Sequence, residues 1–116
     1  MNDREPRIQV SVRHEADAAI VRVQGEVDLR TSPELRGAFL ELLEQRPGRI
    51  IVDLSDVHYV DSSGVGTIVE LKRRAMRDRS EVILVGLQPR VRSLFEITRL
   101  EQFFTIAASV DEARRL

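Results

Sequence analysis

The stretch Arg49–Gly66, which reads RIIVDLSDVHYVDSSGVG, decides how this chain folds. It opens with an almost unbroken apolar run from Ile50 to Leu54. Short runs rich in β-branched residues are typical of central strands that are covered on both faces. The last six residues, Asp61-Ser62-Ser63-Gly64-Val65-Gly66, begin with helix-capping residue types, and apolar residues at helical spacing continue as far as Met76. The stretch therefore predicts a short buried strand that leads through a loop into a helix.

Strands and helices also alternate on either side of this stretch. Residues 7–14 and 19–27 indicate an antiparallel hairpin, because apolar and polar residues alternate in both. Ser32-Pro33-Glu34 predicts a helix start in which Ser32 caps a free N–H group, and Pro47-Gly48 ends that helix. The downstream pattern predicts a strand at 81–85, a helix from 89, a strand at 103–106 and a helix at 111–116. The order β-β-α-β-α-β-α-β-α predicts an α/β fold with a mostly parallel, mixed sheet of four or five strands.

The composition indicates one ordinary globular domain. The chain has 116 residues, with 18 basic and 19 acidic side chains and a net charge of −1. This balance argues against nucleic-acid and membrane partners, whose attraction needs a large field of one sign. There is no cysteine, and no apolar run reaches the ~20 residues that span a bilayer. We therefore expect a cytoplasmic domain at 7–116, preceded by a flexible segment at 1–6.

Ser62 is the residue best placed to act as a switch. It lies where a strand passes into a helix, and open α/β sheets gather ligand-binding groups at such positions. The free N–H groups of the helix start attract a phosphate ester, whereas the adjacent Asp61, and Asp28 at the end of the hairpin, repel it. Gly64 and Gly66 each lower helix propensity by ~1 kcal/mol, which indicates close backbone approach to another element or to a partner. Local physics alone still favours a simpler interpretation, in which Asp61 or Ser62 only caps the helix.

The sequence does not support a hydrolase, a metal site, a nucleotide site or a nucleic-acid patch. A hydrolase would need a base for Ser62, yet the segment is not Gly-x-Ser-x-Gly and nothing fixes His58 as a partner. His14 and His58 show no metal-ligand spacing, so no metal site is expected. Gly64-Val65-Gly66 is too short for a dinucleotide fingerprint and no Walker sequence exists, which leaves nucleotide binding open but unsupported. The basic stretch Lys72-Arg73-Arg74 fits a solvated helix end better than a nucleic-acid patch.

Three blocks of the sequence resemble single-domain STAS proteins of the bacterial anti-sigma-factor antagonist family. They are residues 25–33 (GEVDLRTSP), residues 51–66 and residues 91–98 (VRSLFEIT), and their order and spacing cover nearly the whole chain. One departure is Arg99, because family members often carry glycine there. A glycine would suit a left-handed helix end, so Arg99 leaves the geometry of that end open.

The resemblance implies a regulatory protein without enzymatic activity or cofactor. In this family the unmodified protein binds an anti-sigma factor that is also a serine kinase, so that a sigma factor is released. The kinase phosphorylates the serine directly after the aspartate, which is Ser62 here, and a separate serine phosphatase reverses the modification. The partner-binding residues implied by position are Asp28, Thr31, Asp61, Ser63, Gly64, Val65 and Gly66. The alternative is a STAS subunit of a larger assembly, such as a lipid-transport complex or a stress-signalling scaffold, that uses this surface without phosphorylation.

Overall fold

The computed structural model describes residues 8–116, and the flexible segment predicted at 1–6 lies outside the described residues. Within this range the chain forms strands, α-helices and one turn of 3-10 helix. In chain order they are β1 (Ile8–Glu15), β2 (Ala18–Val27), α1 (Ser32–Glu44), β3 (Arg49–Val60), α2 (Ser62–Arg77), β4 (Glu81–Val85), α3 (Pro89–Ile97), the 3-10 turn (Leu100–Gln102), β5 (Thr105–Ala107) and α4 (Val110–Arg114).

The five strands form one sheet in the order β1-β2-β3-β4-β5. β1 and β2 make the predicted antiparallel hairpin, in which Val10 pairs with Val23. The pairs β2–β3, β3–β4 and β4–β5 are parallel. Parallel neighbours need a crossover connection, and α1, α2 and α3 supply these crossovers. The predicted α/β fold with a mostly parallel, mixed sheet is confirmed.

The helices cover the two faces of the sheet unequally. The larger core lies on the face covered by α1, α2 and α3, and a smaller cluster around Ile51 and Ile83 lies on the face where α4 packs. The apolar stripe predicted for α1 is buried in the larger core: Leu35, Phe39, Leu42 and Leu43. Because β2 and β3 pair in parallel, their carboxyl-terminal ends lie at the same end of the sheet, where ligand-binding groups gather in open α/β folds.

The predicted central strand is too short. β3 has 12 residues and ends at Val60, so His58 lies in the strand rather than in a loop. The neighbouring β2 has 10 residues and continues to pair with β3 as far as Val27 and Val60. Register shifts interrupt this pairing after Arg22 and after Gly25. Such irregularities break the alternation of buried and exposed residues, which is the signal from which a strand's length is inferred.

Two helix positions also differ from the prediction. Thr31, and not Ser32, is the N-cap residue of α1, and the Ser32 hydroxyl instead donates to the Asp28 carbonyl oxygen. Met76 is 55% exposed, whereas Ala75 is fully buried. The two side chains point about 100° apart around the helix, so only one of them faces the core.

Candidate functional site

Strand pairing brings Asp28 and Asp61 to the same edge of the sheet. The last residues of β2 and β3, Val27 and Val60, are register partners, and the two aspartates follow them directly. The Asp61 backbone N–H donates to the Val27 carbonyl oxygen over 3.0 Å. The structure therefore places Asp28 on the rim of the Ser62 loop, as predicted.

Asp61 holds the start of α2 in place. Its Oδ1 accepts hydrogen bonds from the Ser63 N–H (2.9 Å), the Ser63 hydroxyl (2.6 Å) and the Gly64 N–H (3.1 Å). Its Oδ2 accepts one from the Leu29 N–H (3.2 Å), which ties the loop between β2 and α1 to the same carboxylate. The hydrogen bond from the Ser63 hydroxyl is the main reason why the pKa of Asp61 lies below its usual range. The backbone donors lower this pKa further, and desolvation opposes the shift. Asp61 is thus an ionised N-cap residue.

Asp28 and Thr31 form a second closed arrangement beside it. Asp28 Oδ1 accepts from the Arg30 N–H (2.9 Å) and the Thr31 N–H (3.1 Å). The Thr31 hydroxyl donates to the Glu26 carbonyl oxygen (2.8 Å) and accepts from the Asp28 N–H (2.9 Å). Because Thr31 is buried, it shapes the loop from inside, and Asp28 is the half-buried member that reaches the rim.

The two adjacent serines have different environments. Ser63 is half-buried, and its hydroxyl lies 2.6 Å from Asp61 Oδ1 and 3.2 Å from the Ser32 hydroxyl. Ser62 is exposed, and residues 8–116 give its hydroxyl no hydrogen-bond partner. Within the described part of the chain, the Ser62 hydroxyl is therefore the more accessible of the two, and the Ser63 hydroxyl is engaged.

The remaining predicted site residues, Gly64, Val65 and Gly66, differ in exposure. Gly64 and Val65 are buried. A Cβ added at Gly64 would lie 2.7 Å from both Val27 Cγ1 and the Val27 carbonyl oxygen, so this glycine is required by close packing of α2 on β2. Gly66 is exposed, and a Cβ there would meet nothing within 4 Å. Of these three residues, Gly66 is the one that lies on the accessible surface.

Sequence reasoning missed three exposed apolar residues near this rim. Leu29 is 76% exposed in the loop that Asp61 holds, and Tyr59 and Ile97 are 43% and 80% exposed. Tyr59 and Ile97 line one groove together. The available signal for Leu29 was an apolar residue between Asp28 and Arg30 in an otherwise polar turn.

His58, the candidate base for Ser62 in the sequence, lies beside a glutamate. His58 Nε2 lies 3.4 Å from a Glu26 carboxylate oxygen, so the ion pair it can form is with Glu26. Among residues 8–116 there is no group of three or more histidines or carboxylates that could hold a metal ion. None of the helices in this range is long and apolar enough to cross a membrane.

Ser62 is exposed and directly follows the capping residue Asp61, where two parallel strands end in this small α/β domain. The chain belongs to the STAS domain family, whose model matches residues 8–113. It is similar to the anti-sigma-B factor antagonist of Listeria monocytogenes, with 36% identity over 93 residues that cover 79% of this chain and 81% of that protein.

Two solved structures have the same fold. An anti-sigma factor antagonist from Mycobacterium paratuberculosis superimposes with a TM-score of 0.86 at 24% identity, covering 93% of this chain and 92% of the other. The Bacillus cell fate determinant SpoIIAA in its phosphorylated form superimposes with a TM-score of 0.72 at 21% identity, covering 92% and 98%. Both superpositions support the STAS fold of this chain.

Proposed function

We propose that this protein is an anti-sigma-factor antagonist regulated by phosphorylation of Ser62. The unmodified protein binds an anti-sigma factor that is also a serine kinase, and the sigma factor is released. The kinase transfers the γ-phosphate of ATP to Ser62, which ends the contact, and a serine phosphatase restores it. The observation that carries this proposal is the exposed Ser62 hydroxyl, which has no hydrogen-bond partner among residues 8–116, beside a Ser63 hydroxyl already bound to Asp61. The name of the Listeria relative and the phosphorylated SpoIIAA structure support it.

The cap at Asp61 decides how a phosphate on Ser62 acts. The start of a helix normally offers its free N–H groups to an anion. Here the Ser63 and Gly64 N–H groups already donate to Asp61 Oδ1. A phosphate on Ser62 therefore adds a charge of about −1.5 to −2 beside an ionised carboxylate, and two of the nearby donors are occupied.

Solvent makes this charge tolerable in the free protein. Two unit charges 4 Å apart interact by only about 1 kcal/mol in water, and by about 4 kcal/mol where the effective dielectric constant falls to 20. A docked partner excludes water and so lowers the effective dielectric constant around the phosphate. An unpaired charge that becomes buried in this way costs several kcal/mol. A cost of about 3 kcal/mol corresponds to a loss of affinity of more than 100-fold. Phosphorylation therefore weakens the complex and leaves the fold intact.

The test combines phosphate mapping with binding measurements. The protein is incubated with ATP and a purified anti-sigma factor kinase, and the phosphorylated residue is identified by mass spectrometry. We expect phosphate on Ser62, none in Ser62→Ala, and normal modification in Ser63→Ala. Ser62→Asp is expected to lose binding in calorimetry, whereas Ser11→Asp, at an exposed serine of β1, keeps it.

Two results would contradict the proposal. One is phosphate on Ser63 or on no residue at all. The other is unchanged partner binding in both Ser62→Ala and Ser62→Asp, which would instead favour constitutive assembly into a larger STAS complex.

A further inference from the structure

An apolar groove lies beside the Ser62 loop, between the end of β3 and α3. Tyr59 and Val60 line one side, and Leu94 and Ile97 line the other, around a volume of about 220 Å³. Ile97 is 80% exposed and Tyr59 is 43% exposed. Single exposed apolar residues are common on protein surfaces; here Tyr59 and Ile97 line one concave groove, which an apolar side chain can fill.

The size of the groove indicates what it can hold. Pockets for small organic ligands usually have volumes of roughly 300–1,000 Å³ and enclose most of the ligand. This groove is smaller and open on one side, which suits one large side chain from a partner protein. Arg90 lies at its rim. In contrast to Arg92, which pairs with Glu96 at 3.4 Å, Arg90 has no ion pair within residues 8–116.

The groove and Ser62 lie within one partner's footprint. Tyr59 precedes Ser62 by three residues, which is at most about 10 Å of chain. A specific protein–protein interface covers about 800 Å² on each partner, which corresponds to a patch roughly 30 Å across. A partner that contacts Ser62 therefore has the groove within reach of its contact surface.

We propose that the anti-sigma factor kinase inserts an apolar side chain into the groove between Tyr59 and Ile97 and places a carboxylate against Arg90. This inference rests on the proposed function and identifies a second contact of the same partner. The apolar contact is uncharged, so phosphorylation of Ser62 does not alter it directly. It supplies affinity, and the Ser62 loop supplies the switch.

The matched pair Ile97→Ser and Met76→Ser tests this contact. Both residues are exposed and apolar, but Met76 lies near the other end of α2, away from the groove. Because both side chains already lie mostly in solvent, neither change removes a core contact. Dissociation constants for a purified anti-sigma factor kinase are measured by calorimetry, and phosphorylation of Ser62 is followed at several concentrations of the protein.

We expect Ile97→Ser to raise the dissociation constant by about tenfold or more, as truncation of a central interface residue does. The KM for the protein as kinase substrate rises with it, while kcat stays unchanged. Met76→Ser is expected to behave like the original protein, and Arg90→Glu is expected to weaken binding further as salt is lowered.

Three outcomes separate the possibilities. If Ile97→Ser binds normally while Ser62→Asp does not, the groove contact is wrong and the proposed function stands. If neither change affects binding and no phosphate is transferred, the proposed function itself fails, and the groove contact fails with it. If sedimentation shows a dimer that Ile97→Ser dissociates, the groove holds a second copy of this chain, which overturns the inference.

Discussion

The two glycines at the start of α2 make the most demanding test of the geometry. Gly64 and Gly66 are two residues apart in one helix, and alanine at either position gains about 1 kcal/mol of helix propensity. Sequence reasoning treats them alike. The structure separates them, because Gly64 is packed against β2 and Gly66 faces open space.

The expected difference can be worked out from the contacts. A Cβ at Gly64 would lie 2.7 Å from the Val27 carbonyl oxygen and 2.9 Å from Val60 Cγ1. Overpacking of this kind costs about 1–3 kcal/mol. The Val27 carbonyl oxygen also accepts from the Asp61 N–H, so its displacement weakens a hydrogen bond worth about 1 kcal/mol. After the gain in propensity, Gly64→Ala loses about 2 kcal/mol, whereas Gly66→Ala gains about 1 kcal/mol.

Urea unfolding followed by far-ultraviolet circular dichroism measures both free energies of unfolding. Equal slopes against urea concentration would show that the denatured states are comparable. The expected separation of about 3 kcal/mol corresponds to a difference of roughly 12 °C in Tm for a domain near this size. A Gly64→Ala variant as stable as Gly66→Ala would refute the packing of α2 on β2 described above. We also expect Gly66→Ala to weaken kinase binding despite its higher stability, if the partner approaches this backbone closely.

Three further predictions concern charge and backbone conformation. Hydrogen bonds from Arg36, and then from Arg74, hold the pKa of Glu70 at about 2. Between pH 2 and 4.5 the unfolded chain therefore binds more protons than the folded one, so the free energy of unfolding falls as the pH drops through that window. In acid titrations of unfolding, Glu70→Gln should show a shallower fall. Asp61→Asn keeps one accepting oxygen, which we expect to serve the three donors at the start of α2, so its NH2 group faces the Leu29 N–H. Hydrogen exchange should therefore accelerate at Leu29, while an Arg30→Gln control leaves it unchanged. Arg99→Gly should raise the free energy of unfolding by about 0.5–1 kcal/mol, because Arg99 has a φ of 61°, and an unchanged or lower value in urea would contradict this reason.

The sequence pattern predicted the order of the elements because each element has its own signal: a helix such as α1 buries one stripe, and a central strand such as β4 is apolar on both faces. The stripe of α1 and the buried β4 are recognisable one at a time, without knowing what they pack against. The length of β3 could not be predicted in this way, because its last residues pair with β2 through register shifts that depend on the neighbouring strand. The end of α3 was left open by Arg99, and the structure shows that the arginine adopts the left-handed conformation that a glycine would favour.

The site was predicted in part, for a similar reason. Asp61 and Ser62 could be identified from their position between a strand and a helix. The roles of Ser63 and Thr31 depend on hydrogen bonds to Asp61 Oδ1 and the Glu26 carbonyl oxygen, which require the folded geometry. The apolar groove was missed because Tyr59 and Ile97 are far apart in sequence and meet only where α3 crosses the end of β3.

In the proposed switch, the Asp61 carboxylate influences both which serine is phosphorylated and how strongly the phosphate weakens partner binding. Asp61 accepts hydrogen bonds from the Ser63 hydroxyl and from two backbone N–H groups, so that Ser62 is the serine of this pair without a hydroxyl partner among residues 8–116. The two N–H groups are donors that would otherwise help to neutralise a phosphate. A cap made by Ser62 itself would have done the reverse, because its hydroxyl would be engaged and the helix start would be free for anions. The same bonds that leave the Ser62 hydroxyl accessible would therefore withhold these donors from a phosphate attached to it, and an uncompensated charge is what a docked partner tolerates least.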